Sequence, residues 1–220
     1  MIHGALRIVW QHEDWWLLPG RALLQVASRS LIIADWHVGK DSHLRRAGIA
    51  LPQGGLAQEL ARLEQLIAAS EARELIVLGD LSHAEIPSDD PALPALREWR
   101  TRQARLRWRV VLGNHDRRLG PLADLCDEIA VSLHLGALHC LHDPADAGAA
   151  PALCGHVHPV LQLREGRFRV RVPVFEFQPD RALLPAFGAY TGGFLLRAQP
   201  AARYYAALED RVLSLAQQQS

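Results

Sequence analysis

The sequence predicts an α/β fold, and three observations carry the prediction. Short apolar runs end abruptly in polar clusters, residues 30–78 read strand–helix–strand, and apolar and basic residues alternate from Val160 to Val174. Runs of four or five apolar residues suit strands buried on both faces. A strand–helix–strand order implies a parallel pair joined by a right-handed crossover. At 220 residues, with 49% apolar and 22% charged, the chain is within reach of one globular domain with a sizeable core. It shows no internal repeat or linker, so residues 1–220 read as a single domain.

In order, Ala5–Trp10 and Trp15–Leu18 read as strands joined by the polar His12-Glu13-Asp14, and Pro19-Gly20 turns the chain into a strand over Ala22–Ala27. Ser30–Ala34 runs straight into Asp35. A loop holding Gly39-Lys40, His43, Arg45 and Arg46 precedes a helix over Leu56–Ser70. Its apolar stripe is Leu56, Leu60, Leu63 and Ile67, with Glu59, Arg62 and Glu64 off it. The strand Leu75–Leu78 ends at Gly79-Asp80, a Pro-rich loop follows, and a helix spans about Ala95–Arg105. Arg109–Leu112 is the next strand, Pro121–Ile129 a helix, and Ala130–Leu133 and Ala137–Leu141 strands. Val160–Val174 forms a hairpin turning at Glu165-Gly166. Residues 183–193 are loop-rich, Phe194–Leu196 and Tyr204–Leu208 close the sheet, and Gln217–Ser220 is expected to be disordered.

The formal net charge is zero, which gives no compositional argument for a nucleic-acid or membrane partner. The one dense basic tract, Arg97–Arg109, holds six arginines against one glutamate, interleaved with Trp99 and Trp108. Such a tract can bind phosphates and stack on bases, or it can be a solvated face paired with acidic neighbours. Cys126, Cys140 and Cys154 are an odd number without metal-like spacing, which favours reduced thiols in the cytoplasm. Arg7 interrupts the short N-terminal apolar run, so no signal peptide is expected, and no apolar run approaches a membrane span.

The 11 histidines are the compositional outlier. Several fall in five polar clusters at strand ends: Asp35-Trp36-His37, Gly79-Asp80-Leu81-Ser82-His83, Gly113-Asn114-His115-Asp116, His142-Asp143-Pro144 and Gly155-His156-Val157-His158. In extended backbone Asp35 and His37 share one face, as do His156 and His158. His139 competes with His142, but His142 sits at the strand end, like the other motifs. His134 reads as a surface or core-edge residue. Carboxylate, imidazole and amide oxygen in these numbers suit a pair of divalent ions, with Asp80 as the natural bridge.

These motifs in this order resemble the calcineurin-like metallophosphoesterases. Asp35–Lys40, Gly79–His83 and Leu184–Gly193 further resemble the ligase-associated DNA damage response endonucleases. The resemblance implies two mixed sheets flanked by helices in four αββα layers, with metals at the strand ends. It assigns Asp35, His37 and His158 to one ion, Asn114, His142 and His156 to the other, and Asp80 to both. The ions it implies are Mn²⁺, with Fe²⁺ or Zn²⁺ as alternatives. A water bridging them would lose its proton and attack phosphorus in line. His115 would protonate the leaving oxygen or steady the phosphate, with Asp116 orienting its ring. His83 and Lys40 are phosphate-contact candidates.

The implied activity is a DNA phosphodiesterase, an endonuclease working in DNA repair with ligase, helicase or exonuclease partners. The alternatives are a small-molecule or nucleotide phosphoesterase with the same site, or a non-catalytic repair scaffold.

Overall fold

A computed structural model describes residues 2–215, so the expectation for Gln217–Ser220 falls outside the described residues. The first sheet runs β1 (Leu6–Trp10), β2 (Glu13–Leu18), β3 (Ala22–Gln25), β4 (Ser30–Ala34), β5 (Glu74–Leu78), β6 (Arg107–Val111) and β7 (Glu128–Ala130), in spatial as in chain order. The first four pair antiparallel, and β4 to β7 are parallel. The parallel strands therefore finish at one edge, where Asp35, Asp80 and Asn114 begin the following loops. Helices α1 (Lys40–Arg46), α2 (Gly55–Ser70) and α3 (Ala92–Arg102) lie in the crossovers; α1 occupies part of the loop expected after Gly39.

Alternation along the parallel strands divides the core. Leu31, Ile33, Leu75, Val77 and Val110 face α2 and α3, while Ile32, Ala34, Ile76, Leu78 and Val111 face the second sheet. Both faces are buried, which is why these strands read as unbroken apolar runs. Trp36, Trp99, Trp108 and Phe187 interlock beneath the helices with centroids 5.4–6.2 Å apart.

The second sheet contains β8 (Leu133–Leu135), β9 (Leu138–Leu141), β10 (Ala152–Cys154), β11 (Pro159–Glu165), β12 (Phe168–Phe177), β13 (Arg181–Leu183), β14 (Phe194–Leu195), β15 (Arg203–Ala207) and β16 (Val212–Leu215). β9, β10 and β13 are parallel and deliver His142 and His156 from their ends. Phe175, Phe177, Leu153 and Tyr205 close the core between the sheets. The helical cover is uneven. The outer face of the second sheet carries the 3₁₀ turn Pro144–Asp146 beside β10, and Val172, Val174, Tyr204 and Ala206 form a small cluster of their own. No helix among the described residues is long and apolar enough to cross a membrane.

Two expectations need correction. The helix over Pro121–Ile129 is a 3₁₀ turn, Gly120–Leu125, and Glu128 onward is the edge strand β7. The strand expected at Ala130–Leu133 straddles the passage from one sheet to the other, so it divides between β7 and β8. Of the two readings of the basic tract, the structure matches the face paired with acidic neighbours: Trp99 and Trp108 are fully buried, and Arg100 pairs with Asp127, Arg102 with Glu64 and Glu98, and Arg107 and Arg109 with Glu74 and Glu128. Most of these carboxylates come from elsewhere in the chain, so the local charge run is neutralised on folding. The tract also leads into the start of β6, the end of the sheet opposite Asp80.

Candidate metal centre

The loops after β4 and β5 run side by side. His37 N–H donates to Asp80 O at 2.8 Å, Val38 N–H to Leu81 O at 2.8 Å, and His83 N–H to Val38 O at 3.2 Å. Asp35 and His37 both point into the site while Trp36 enters the core, but extended alternation is not the reason. Asp35, His37, Asp80, His156 and His158 all have φ between 48° and 68°. This left-handed region costs an L-residue about 1–2 kcal/mol. Such strain persists where surrounding structure over-determines it, commonly at functional sites. The turns also require glycine: a Cβ on Gly113 would overlap the Asp80 carboxylate, and one on Gly79 would overlap the His142 ring.

Two groups of donors meet at Asp80. Ligand atoms of Asp35, His37, Asp80 and His158 all lie within 4.8 Å of one another, with His37 Nε2 3.4 Å from His158 Nε2 and 3.8 Å from Asp80 Oδ2. His158 Nε2 lies 3.3 Å from Asp35 Oδ1. In the second group, Asn114 Oδ1 is 3.0 Å from both His142 Nε2 and His156 Nδ1, which are 3.1 Å apart. His142 Nε2 is 3.5 Å from Asp80 Oδ1, so each Asp80 oxygen faces a different group. The structure thus gathers all seven expected ligands, and leaves His139 on β9 stacked against His134 at 4.7 Å.

The remaining ring nitrogens of His142, His158 and His156 are held from behind, whereas His37 Nδ1 is buried without a hydrogen-bond partner. His142 Nδ1 lies 3.1 Å from Leu78 O, His158 Nδ1 3.2 Å from Gly192 O, and His156 Nε2 3.7 Å from Asp143 Oδ2. A nitrogen that donates to a carbonyl leaves the other as a lone pair. Those lone pairs converge on one another and on carboxylate and amide oxygens. Burial, with Lys40 and three neighbouring histidines, holds His37 at about 2, so its ring is neutral. Facing acceptors without protons between them repel, and a cation between them removes the conflict. The donor set therefore fits divalent metal.

His115 sits beside this cluster, 39% exposed at its side chain, with Nε2 4.0 Å from Asp80 Oδ2. Its Nδ1–H donates to His83 O at 2.9 Å, and its backbone N–H to Asp80 Oδ1 at 2.9 Å. The His83 ring stacks on the His115 ring at 5.3 Å. Burial, followed by Lys40, His115 and His43, lowers its pKa to about 4. Lys40 opens α1 beside His37; burial lowers its pKa against the pull of Asp80 and Asp35.

Asp116 does not reach the His115 ring, and its expected orienting role passes to the His83 carbonyl. Its buried carboxylate accepts hydrogen bonds from Leu81 N–H (3.1 Å), Ser82 N–H (3.0 Å), Gly113 N–H (3.0 Å) and the Ser82 hydroxyl (3.4 Å). It ties the loop carrying Asp80 to the loop carrying Asn114. Burial raises its pKa even against these donors.

Sequence reasoning missed Asp143 as a partner of His156, and it missed Glu59. Placed off the apolar stripe of α2, Glu59 is instead buried, accepting from Trp36 Nε1 at 3.0 Å and from Ala189 N–H at 2.7 Å. It links the first motif to residues 186–192, whose backbone donates to Ala34 O and Asp35 O and supplies the Gly192 carbonyl to His158. A glutamate at a helical position one residue from an apolar one gives no sequence signal of burial.

The calcineurin-like phosphoesterase family model matches residues 28–149, which include every expected ligand except His156 and His158. Among solved structures, the Pseudomonas putida nuclease MPE is 35% identical, covers 96% of this chain and 100% of its own, and superposes with a TM-score of 0.82. The Aquifex aeolicus protein AQ665, of unknown function, is 21% identical over 59% of this chain and 78% of its own, with a TM-score of 0.42. The Escherichia coli phosphoesterase Yfce is 16% identical over 85% and 98%, with a TM-score of 0.44. These last two are too distant to inform the site. No curated protein matches.

Proposed function

The chain belongs to the calcineurin-like phosphoesterase family, and from that premise we propose that it is a cytoplasmic DNA endonuclease working with two divalent ions. The observation that carries the proposal is the convergence of both donor groups on opposite oxygens of Asp80. The likeness over the whole chain to a nuclease supports the choice of a phosphodiester substrate. Asp35, His37 and His158 would hold one ion, Asn114, His142 and His156 the other, with Asp80 shared. The all-N/O set suits Mn²⁺ best, with Fe²⁺ or Zn²⁺ as alternatives. Bound there, such ions supply Lewis-acid activation of water and neutralise charge developing at phosphorus.

The remaining steps belong to the protein. His115, its ring oriented by the Nδ1–H it donates to the His83 carbonyl, turns Nε2 toward Asp80, and from there it would pass a proton to the departing oxygen. The His83 ring holds the His115 plane by stacking and borders the phosphate. Lys40, partly desolvated, contributes positive charge on the other flank. Asp116 acts on none of these atoms; it fixes the distance between the Asp80 and Asn114 loops. A place in DNA repair, alongside ligase, helicase or exonuclease partners, rests on the resemblance of Asp35–Lys40, Gly79–His83 and Leu184–Gly193. One observation favours the small-diester alternative: the arginine tract is consumed by carboxylates.

The test is nicking of covalently closed plasmid by Mn²⁺-loaded protein with His115→Ala alongside. Nicking that largely disappears in the variant is expected. No nicking together with brisk hydrolysis of a small phosphodiester would replace the endonuclease with a small-molecule enzyme.

A further inference from the structure

We propose that the β11–β12 hairpin is the surface on which a polynucleotide strand docks through its phosphates on the way to the metal centre; the inference rests on the DNA phosphodiesterase reading. β11 starts at Pro159, the residue after His158, and is flanked by β14, whose Phe194 N–H donates to His158 O at 2.9 Å. The hairpin therefore springs from the rim of the site. Its register sets Arg164 directly opposite Arg169, and Gln162 opposite Arg171. Cross-strand partners share a face, so three guanidiniums stand together on one side of the hairpin, all exposed.

Like charges directly opposed across a ladder destabilise it, and here none of the three arginines forms an ion pair with a described side chain. The contrast with residues 97–109 is direct, because there four of the six arginines are tied to carboxylates. A cationic row left without counter-charge suits an anion. Its length selects a polymer. At about 3.3 Å per residue, Arg171 lies roughly 13 Å along the hairpin from His158, and the Arg164–Arg169 rung roughly 20 Å. A strand stacked at about 3.4 Å per nucleotide would need about six nucleotides to span that reach. A small diester in the site touches neither rung. At the tip, Phe168 is 66% exposed, with the Arg167 guanidinium 5.6 Å from its ring centroid, a pairing suited to base stacking.

The test uses the full chain carrying Arg164→Gln, Arg169→Gln and Arg171→Gln together, with Arg97→Gln/Arg105→Gln as a control of smaller charge change on the distant tract. Fluorescence anisotropy with a 5′-labelled oligonucleotide of about 20 nucleotides, across a salt series, reads docking. Mn²⁺-dependent hydrolysis of that oligonucleotide and of bis(p-nitrophenyl) phosphate reads the site. The hairpin variant should bind about tenfold more weakly, with a salt slope shallower by about two, since each single-strand phosphate contact contributes about 0.7. Its oligonucleotide KM should rise while small-diester turnover stays unchanged, and the control should match wild type.

Equal affinity and slope in wild type and hairpin variant would overturn the proposal, as would no oligonucleotide binding by wild type. So would loss of binding to phosphatidylglycerol vesicles alone, which would mark a membrane surface. Oligonucleotide binding lost in the variant, with no hydrolysis of the oligonucleotide by wild type, would keep the docking surface and sink the nuclease reading instead. Oligonucleotide hydrolysis equal in both proteins would do the reverse.

Discussion

Asp116 gives the sharpest test of the site's construction, because its place in the sequence suggests catalysis and its contacts show a brace. Asp116→Ala removes the acceptor from three buried or partly buried backbone N–H groups, those of Leu81, Ser82 and Gly113. Each unsatisfied buried donor costs about 1–3 kcal/mol. Water entering the vacated space recovers part of that, so the expected loss is about 3–5 kcal/mol. Asp116→Asn keeps the volume and one acceptor oxygen, and should cost about 1–2 kcal/mol. Urea unfolding of the metal-free proteins measures both. The positioning role makes a second claim: the Asn variant should lose turnover through looser metal binding, so added Mn²⁺ restores much of it, and the pH–rate profile keeps both limbs. A stability change under about 1 kcal/mol for the Ala variant, or loss of one pH limb without loss of stability, would return Asp116 to proton transfer.

Three further predictions follow from the same geometry. Mn²⁺ at a hundredfold excess over its dissociation constant should stabilise the native chain by about 2.7 kcal/mol. That is a rise of roughly 5–10 °C in Tm for a domain of this size, reversed by a chelator and largely absent in Asp80→Asn; an unchanged wild-type Tm would contradict the site. Burial holds the Glu59 carboxyl above its ordinary value, so the native chain binds that proton more tightly than the unfolded one. Its contribution to stability therefore falls as pH rises from about 4.3 through the raised value. Glu59→Gln should flatten that part of the stability–pH curve, measured by urea unfolding across pH; an identical slope in both proteins would show the burial to be immaterial. Burial pushes Cys126, Cys140 and Cys154 up to about 12, so a thiol reagent at pH 8 should label none of them in the native protein and all three in denaturant.

The strands and the site were legible for one reason. A strand buried on both faces is an apolar run, and the first polar residue after it marks the sheet edge where ligands gather. Ser30–Ala34 before Asp35 and Leu75–Leu78 before Asp80 announce themselves in this way. The paired outlook of Asp35 and His37 was anticipated for the wrong cause, since no composition rule places two consecutive ligand positions at positive φ. Asp116 and Glu59 were misjudged because a carboxylate's role depends on which donors folding brings to it, and those donors lie 34–35 and 130 residues away in the case of Leu81, Ser82 and Ala189.

The two arginine-rich stretches show the same dependence. Residues 97–109 are the denser charge run, yet Glu64, Glu74, Asp127 and Glu128 arrive from α2, β5 and the start of β7 with the residue before it to neutralise most of it. Residues 164–171 read as the polar side of an alternating hairpin, the ordinary solvated face of an antiparallel sheet. Pairing turns that side into a cationic surface, because register sets Arg164 against Arg169 and no described carboxylate answers them. Local charge density thus ranks the two stretches in the wrong order for binding a polyanion. What ranks them correctly is the count of guanidiniums left without a carboxylate after folding, together with the side of the sheet on which they lie. On both measures the hairpin rooted at His158 exceeds the tract at the far end of β6.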